Sequence, residues 1–255
     1  MSLKKYKIDK KIFESKCSII YKTQDCKIIK IEKPGFNYLK NELKIRQFLA
    51  GNDDWILPII DHGISKNERF IIYNYIENTI CSQPMNIDKL HHLGYEMISI
   101  MEYIHKKGIV HCDISTKNIL YDNNKFYLND FGHAKHITFC IDENQGKSMV
   151  GCPLFCSEYI HAGIDYAPRD DFISFAYVLV YAINNSLPWS GKNNLNSIYQ
   201  EKKKFSKNIL HISSIPYEIK AFCNYCFHLK LNQQPNYAIL KKLFTSSNKE
   251  ISIHT

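Results

Sequence analysis

The sequence predicts an α+β fold in which a small strand-rich lobe precedes a larger helical one. Two observations carry this. Short β-branched runs fill the chain up to about residue 80, and patterns of helical length fill the remainder. No repeat or low-complexity linker divides the chain into further units.

The strands are read from Ser18 to Thr23, Cys26 to Glu32 and Phe70 to Tyr75, where apolar residues alternate or run together at strand length. Thr23-Gln24-Asp25 is turn chemistry and makes a hairpin of the first two. One helical pattern interrupts them from about Asn37 to Leu49, with Leu39, Leu43, Ile45 and Leu49 at mixed helical spacing. From about Ile87 onward the reading is mostly helical, as in Leu93 to His105, Asp171 to Asn184 and Ile215 to Leu229. The lobes join near Tyr75 to Ser82. That gives one domain over 1–255, with an N-lobe of about 1–76 and a C-lobe of about 77–255.

At 255 residues and 45% apolar content, the chain has ample material for one large domain or two lobes around a cleft. Its longest apolar stretches, such as Phe175 to Ile183, are too short to cross a bilayer. Met1-Ser2-Leu3-Lys4-Lys5 carries charge with no apolar run behind it, so no export signal is read. Nine cysteines at irregular spacing then suggest reduced thiols and a cytoplasmic or nuclear setting. Cys223 and Cys226, with His228 nearby, read as packing on one helix face, because no second pair stands at zinc spacing. The net charge of +8 suits acidic protein segments, nucleic acid or simple solubility. Without a recognition-helix or RNA-binding signature, nucleic acid is the weakest of the three. A monomer is expected.

The chemistry lies in His111-Cys112-Asp113-Ile114-Ser115-Thr116-Lys117-Asn118-Ile119-Leu120, followed by Leu128-Asn129-Asp130-Phe131-Gly132. Phosphoryl transfer asks a protein chiefly to position reactants and neutralise charge. A carboxylate must accept the proton of the acceptor hydroxyl, and oxygen ligands must hold magnesium on the nucleotide phosphates. Asp113 is placed for the first task, and Asn118 and Asp130 for the second. His111 reads as a packing and hydrogen-bonding residue.

The two motifs in this order resemble the catalytic loop and the magnesium-binding Asp-Phe-Gly of protein kinases. The resemblance implies the bilobal protein kinase fold, ATP and Mg2+ as cofactors, and a protein as substrate. It extends to Lys27-Ile28-Ile29-Lys30, similar to the strand whose lysine holds the α- and β-phosphates, and to Glu42, where the family places that lysine's carboxylate partner. A surface ion pair worth under about 1 kcal/mol is the plainer alternative for Lys30 and Glu42. By the same likeness Ile20, Ile28, Tyr73, Tyr75 and Leu120 line the nucleotide pocket, with Tyr73 at its back and Leu120 as its floor. Core packing explains Leu120 equally well.

Further along, Gly151-Cys152-Pro153-Leu154-Phe155-Cys156-Ser157, Arg169-Asp170-Asp171-Phe172 and Ser186-Leu187-Pro188-Trp189-Ser190-Gly191 resemble the casein kinase 1 group, with the vaccinia-related kinases as close cousins. That likeness implies a serine/threonine kinase that prefers acidic substrates, with Asp171 binding the catalytic-loop backbone. Favourable acids at a helix N-terminus account equally for Asp170 and Asp171. Glu201-Lys202-Lys203 aligns with the group's basic segment, and Lys147 lies on the activation segment, where Asn144 replaces an expected arginine.

The departures are specific. Phe13, Ser15 and Ser18 stand at the three positions of a phosphate-covering loop that kinases fill with glycine. Ile28 replaces a small alanine. Cys112 replaces an arginine that would receive a phosphorylated activation segment. Ser115 and Cys152 replace a lysine and a threonine that share a network with the catalytic carboxylate, and Lys117 is the neighbour placed to substitute. A pseudokinase acting as a binding scaffold is therefore the alternative to an active enzyme.

Overall fold

The computed structural model describes residues 3–49, 55–80, 85–137 and 149–245. Strands β1 (Ile8–Glu14), β2 (Ser18–Thr23) and β3 (Lys27–Glu32) form an antiparallel meander, followed by helix α1 (Tyr38–Phe48). Strands β4 (Ile59–Ser65) and β5 (Glu68–Asn74) complete a sheet in the order β1-β2-β3-β5-β4. The β2–β3 turn is closed by Thr23, whose Oγ1 accepts from the Lys27 amide at 2.9 Å. Cys26 takes the left-handed conformation there, at φ 55°.

The centre of this sheet is covered on both faces, which is why β5 carries the apolar run Phe70 to Tyr73. Ile29, Phe70 and Ile72 pack under Leu3, Tyr6 and Tyr21 on one side. Ile71 and Tyr73 pack against Leu39 of α1 on the other. The two-residue period of the strands carries Ile28 and Lys30 to the α1 side and Ile29 away from it. Lys30 stands opposite Ile20 on β2 and Ile71 on β5.

The second lobe begins with α2 (Ile87–Lys106), capped by the Asn86 side chain, which accepts from the Lys89 amide at 2.9 Å. Short strands follow: β6 (Ile109–Val110), β7 (Ile119–Asp122), β8 (Lys125–Leu128) and β9 (Lys135–His136). β7 and β8 form a hairpin and β6 pairs with β9. Asn123 and Asn124 both have positive φ, as a two-residue hairpin turn requires. Then come α3 (Glu158–His161), α4 (Pro168–Asn184), α5 (Leu195–Asn208), α6 (Tyr217–Phe227) and α7 (Tyr237–Lys242).

Helix α4 is the axis of this lobe. Pro168 occupies its first turn, and Asp170 caps it by accepting from the Ala167 amide at 2.9 Å. Phe172 through Val180 are buried, with Tyr177 and Trp189 ring to ring at 4.9 Å. Each large aliphatic or phenylalanine side chain among them contributes roughly 1.5–3 kcal/mol on full burial. Cys223 and Cys226 lie within this core, on one face of α6.

The two-lobed α+β expectation holds. Several elements have no named counterpart in the sequence reading, among them β1, β4 and α5. β1 is an edge strand exposed along its whole length, so no buried face imposes alternation on Ile-Asp-Lys-Lys-Ile-Phe-Glu. β4 shows no polar alternation, since Asp61, His62 and Gly63 stand together and Ile60 and Ile64 are exposed, and α5 is mostly polar. No helix among the described residues is long and apolar enough to cross a membrane.

Candidate active site

Lys30 and Glu42 are nearly solvent-free, at 4% and 1% exposed, so the pair is no surface ion pair. Lys30 Nζ donates to Glu42 Oε2 at 2.9 Å and to Asp130 Oδ1 at 2.6 Å, spanning β3, α1 and the Asp-Phe-Gly segment. Burial works against the ammonium charge, but the Asp130 and Glu42 carboxylates outweigh it and hold the Lys30 pKa above its ordinary value. Removing one member of such a buried pair costs about 3–5 kcal/mol, because the other charge is left uncompensated. Burial likewise opposes the Asp130 charge, yet Lys30 and the Tyr38 hydroxyl keep its carboxyl below the usual range.

The catalytic loop hangs from Asp171 at the start of α4. Its two oxygens accept from the amides of His111 at 2.7 Å and Cys112 at 3.0 Å. His105 contributes a third contact to Asp171 at 3.0 Å. Cys112 is left-handed at φ 65°, a conformation the double acceptor below it stabilises. The His111 ring stands edge-on to Phe131 at 4.7 Å between centroids, and the Arg46 guanidinium lies 6.0 Å from the same Phe131 ring.

Asp113 then emerges toward the cleft. Its Oδ2 and its backbone carbonyl accept from Asn118 Nδ2 at 3.0 and 2.8 Å, and its Oδ1 accepts from the Cys152 amide at 2.9 Å. Gly151 makes that last approach possible: at φ 84°, an added Cβ would lie 2.5 Å from the Cys112 carbonyl. Burial pushes the Asp113 pKa up to about 7, and the Asp130 charge adds to it, against the hydrogen bonds from Cys152 and Asn118 and the charge of Lys30. A carboxylate titrating near neutrality is suited to accepting a proton. Asp130 is close enough for its charge to act on Asp113.

The donor set fits a hard divalent cation. Asn118 commits its amide nitrogen to Asp113, which leaves the amide oxygen for a metal. Among the described residues, Asp130 Oδ2 receives no hydrogen bond, both donors falling on Oδ1.

Of the expected nucleotide-pocket residues, the structure brings together Ile28, Tyr73 and Leu120, which pack in one cluster below the sheet. Ile20 is half-buried and sits opposite Lys30 on β2. Tyr75 follows β5 directly. Its amide bonds the Cys26 carbonyl at 3.0 Å and its ring lies 4.0 Å from Lys22 Nζ, outside that cluster.

The network expected around Asp113 is built from other groups. Ser115 is buried, and Lys117 does not substitute: it is exposed, with its Nζ 5.3 Å from the Phe13 ring on the opposite lobe. The Asn118 side chain and the Cys152 main chain take over the contacts to Asp113. At the phosphate-loop position, Ser15 Oγ accepts from the amides of Cys17 at 3.3 Å and Ser18 at 3.0 Å. These donors are thus satisfied within the loop itself.

Lys202 is a correction. It is 0% exposed, and its Nζ donates to the carbonyls of Pro153 at 2.7 Å and Cys156 at 2.5 Å, so it cannot offer its charge to an acidic substrate. Lys203 remains exposed. Lys147 and Asn144 lie outside the described residues.

Sequence reasoning missed Tyr38 and the hydroxyl of Tyr73. Tyr38 donates to Asp130 Oδ1 at 2.5 Å, and Tyr73 donates to Glu42 Oε1 at 2.7 Å. The available signal for Tyr38 was its position four residues before Glu42, which puts both on one helix face.

A family model for the protein kinase domain matches residues 9–244. The match spans both lobes and every residue of the site just described, and the chain belongs to the protein kinase family.

Proposed function

We propose that this chain is a serine/threonine protein kinase of casein kinase 1 type, a single domain over 1–255 that moves the ATP γ-phosphate to protein hydroxyls. The observation that carries the reading is Lys30 bridging Glu42 and Asp130 in a nearly dry setting, with Asp113 tied to Asn118 beside it. In this reading Asp113 accepts the hydroxyl proton, and Lys30, steadied by Glu42, holds the α- and β-phosphates. Asn118 and Asp130 hold Mg2+, which neutralises phosphate charge. Ile28 and Leu120 enclose the adenine, with Tyr73 behind it. The Arg169-Asp170-Asp171 entry to α4 and the Leu187-Pro188-Trp189 segment support the group assignment. The net charge of +8 and exposed Lys117, next to Asn118, support a preference for acidic substrates.

The test is phosphate incorporation into an acidic protein such as casein with Mg-ATP, comparing the unaltered chain with Asp113→Asn. Incorporation lost in the variant supports the enzyme, and equal incorporation by both removes it.

One observation favours a scaffold instead: Ser15 consumes loop amides that a nucleotide would need. A ligand that binds only the native form raises apparent stability. No thermal shift at millimolar Mg-ATP would therefore select the scaffold.

A further inference from the structure

Tyr38 opens α1 one turn before Glu42, and its hydroxyl and Lys30 Nζ converge on the same oxygen, Asp130 Oδ1. The ring is built into the site. It covers Gly132, where an added Cβ would come within 2.1 Å of it, and it stands edge-on to His133 at 4.8 Å. Lys30 Nζ lies 4.6 Å from its centroid. Asn41 pins this end of α1 to the same segment, its Nδ2 donating to the carbonyls of Gly132 at 3.0 Å and Ala134 at 2.9 Å.

A carboxylate oxygen has two lone pairs, and two donors fill those of Oδ1. Oδ2 is left for a cation. The two donors are not equivalent, however. In the reading proposed above, Lys30 turns to the α- and β-phosphates when nucleotide enters, and its hold on Asp130 weakens. Tyr38 carries no charge that a phosphate would attract. Asp130 also has a left-handed backbone, φ 68° and ψ 69°, a conformation that Asp adopts more readily than most residues with a Cβ.

We propose that Tyr38 is a positioning residue of the magnesium–nucleotide site, fixing Asp130 Oδ1 so that Oδ2 faces the cation after Lys30 has moved to the phosphates. The inference rests on the assignment of Asp130 as a metal-holding residue. It goes beyond that assignment because it places a tyrosine of α1 in the shell that orients the ligand, a shell whose loss commonly weakens metal binding by about 10–100-fold.

The experiment is equilibrium binding of a fluorescent ATP analogue, with Mg2+ and with a chelator, to the unaltered chain, Tyr38→Phe and Asp130→Asn. Phenylalanine keeps the ring over Gly132 and removes only the hydroxyl. The expected result is magnesium-dependent binding weakened about 10-fold in Tyr38→Phe, with binding in chelator within about twofold of the unaltered chain. Unchanged or tighter binding with Mg2+ overturns the proposal. Equal weakening in both conditions also overturns it, since the hydroxyl would then serve helix placement alone. If magnesium makes no difference to the unaltered chain, or Asp130→Asn keeps the full magnesium effect, the metal-site reading fails and takes this inference with it. A Tyr38→Phe failure beside a normal Asp130→Asn loss sinks the tyrosine role alone.

Discussion

Tyr73 donates its hydroxyl to Glu42 Oε1 at 2.7 Å, on the carboxylate oxygen that Lys30 leaves open. In the proposed reading, the residue behind the adenine is thus also part of the clamp on the lysine. Burial, with the Glu42 charge adding to it, holds the Tyr73 hydroxyl protonated well beyond neutral pH, so it remains a donor throughout the working range. Tyr73→Phe leaves one oxygen of a buried carboxylate without a partner, a loss of about 1–3 kcal/mol. The expected outcome is a fall in melting temperature of roughly 2–8 °C together with weaker ATP binding. A melting curve and a nucleotide titration check it. An unchanged melting point would show that water replaces the hydroxyl.

Sequence legibility differed between the backbone frame and the groups that complete it. Lys30, Glu42, Asp113, Asn118 and Asp130 were legible because the chemistry demands those residue types within motifs of fixed order. Asp171 was legible through the Arg-Asp-Asp pattern. Tyr38 and Tyr73 were not, since an aromatic residue on a helix or strand reads as core until its hydroxyl is seen to reach a carboxylate. Lys202 was misread for a related reason. A lysine in a basic run reads as solvated, and only the docking of α5 against the 153–156 segment turns its head inward. β1 was illegible because nothing buries it, and burial is what writes a strand period into sequence.

Asp113 makes the site pH-sensitive. Its folded pKa, about 7, lies above the unfolded value, so the folded state favours the protonated acid. The stability this gives is full below the unfolded pKa and is lost as pH rises through 7. Asp113→Asn removes the titration. The variant is expected to melt within error of the unaltered chain near pH 4 and roughly 2–6 °C higher at pH 8. In the kinase reading, kcat/KM falls below about pH 7 as the base takes up a proton, and the limb in kcat lies at lower pH because bound Mg2+ favours the carboxylate. A rate flat from pH 5 to 8 would remove Asp113 as the base.

Ser15 offers a gain of function. Its Oγ occupies the Cys17 and Ser18 amides, and a hydroxyl on a Cβ-bearing residue keeps the backbone from approaching phosphate closely. Ser15→Gly releases both donors and the steric bar. Each hydrogen bond to a charged group contributes about 1.5–3 kcal/mol, part of which is offset by ordering a freer loop. ATP affinity is expected to rise about 5- to 10-fold, with a smaller change for adenosine, which has no phosphate. Isothermal titration with both ligands separates the two. Equal changes for ATP and adenosine would mean that the loop does not reach the phosphates.

Lys202 provides the converse pH dependence. Burial depresses its pKa to about 8, with Cys156 and Glu158 opposing, so the folded state disfavours the charged form. Between about pH 8 and 10.5 the unfolded chain binds more protons than the folded one, and stability gained through Lys202 rises with pH. The neutral amine still donates to the Pro153 and Cys156 carbonyls. Lys202→Met removes both the titration and the donors, leaving those carbonyls unpaired at about 1–3 kcal/mol each. The stability gap between the unaltered chain and Lys202→Met, measured by urea unfolding, is expected to widen from pH 7.5 to 9.5 by on the order of 2 kcal/mol. The ratio of rates on acidic and neutral peptides should not move, because the ammonium never meets the substrate, while KM for both should rise as the 153–156 segment loosens. A gap independent of pH would mean that Lys202 is charged without penalty. A lost acidic preference would return the residue to the substrate surface.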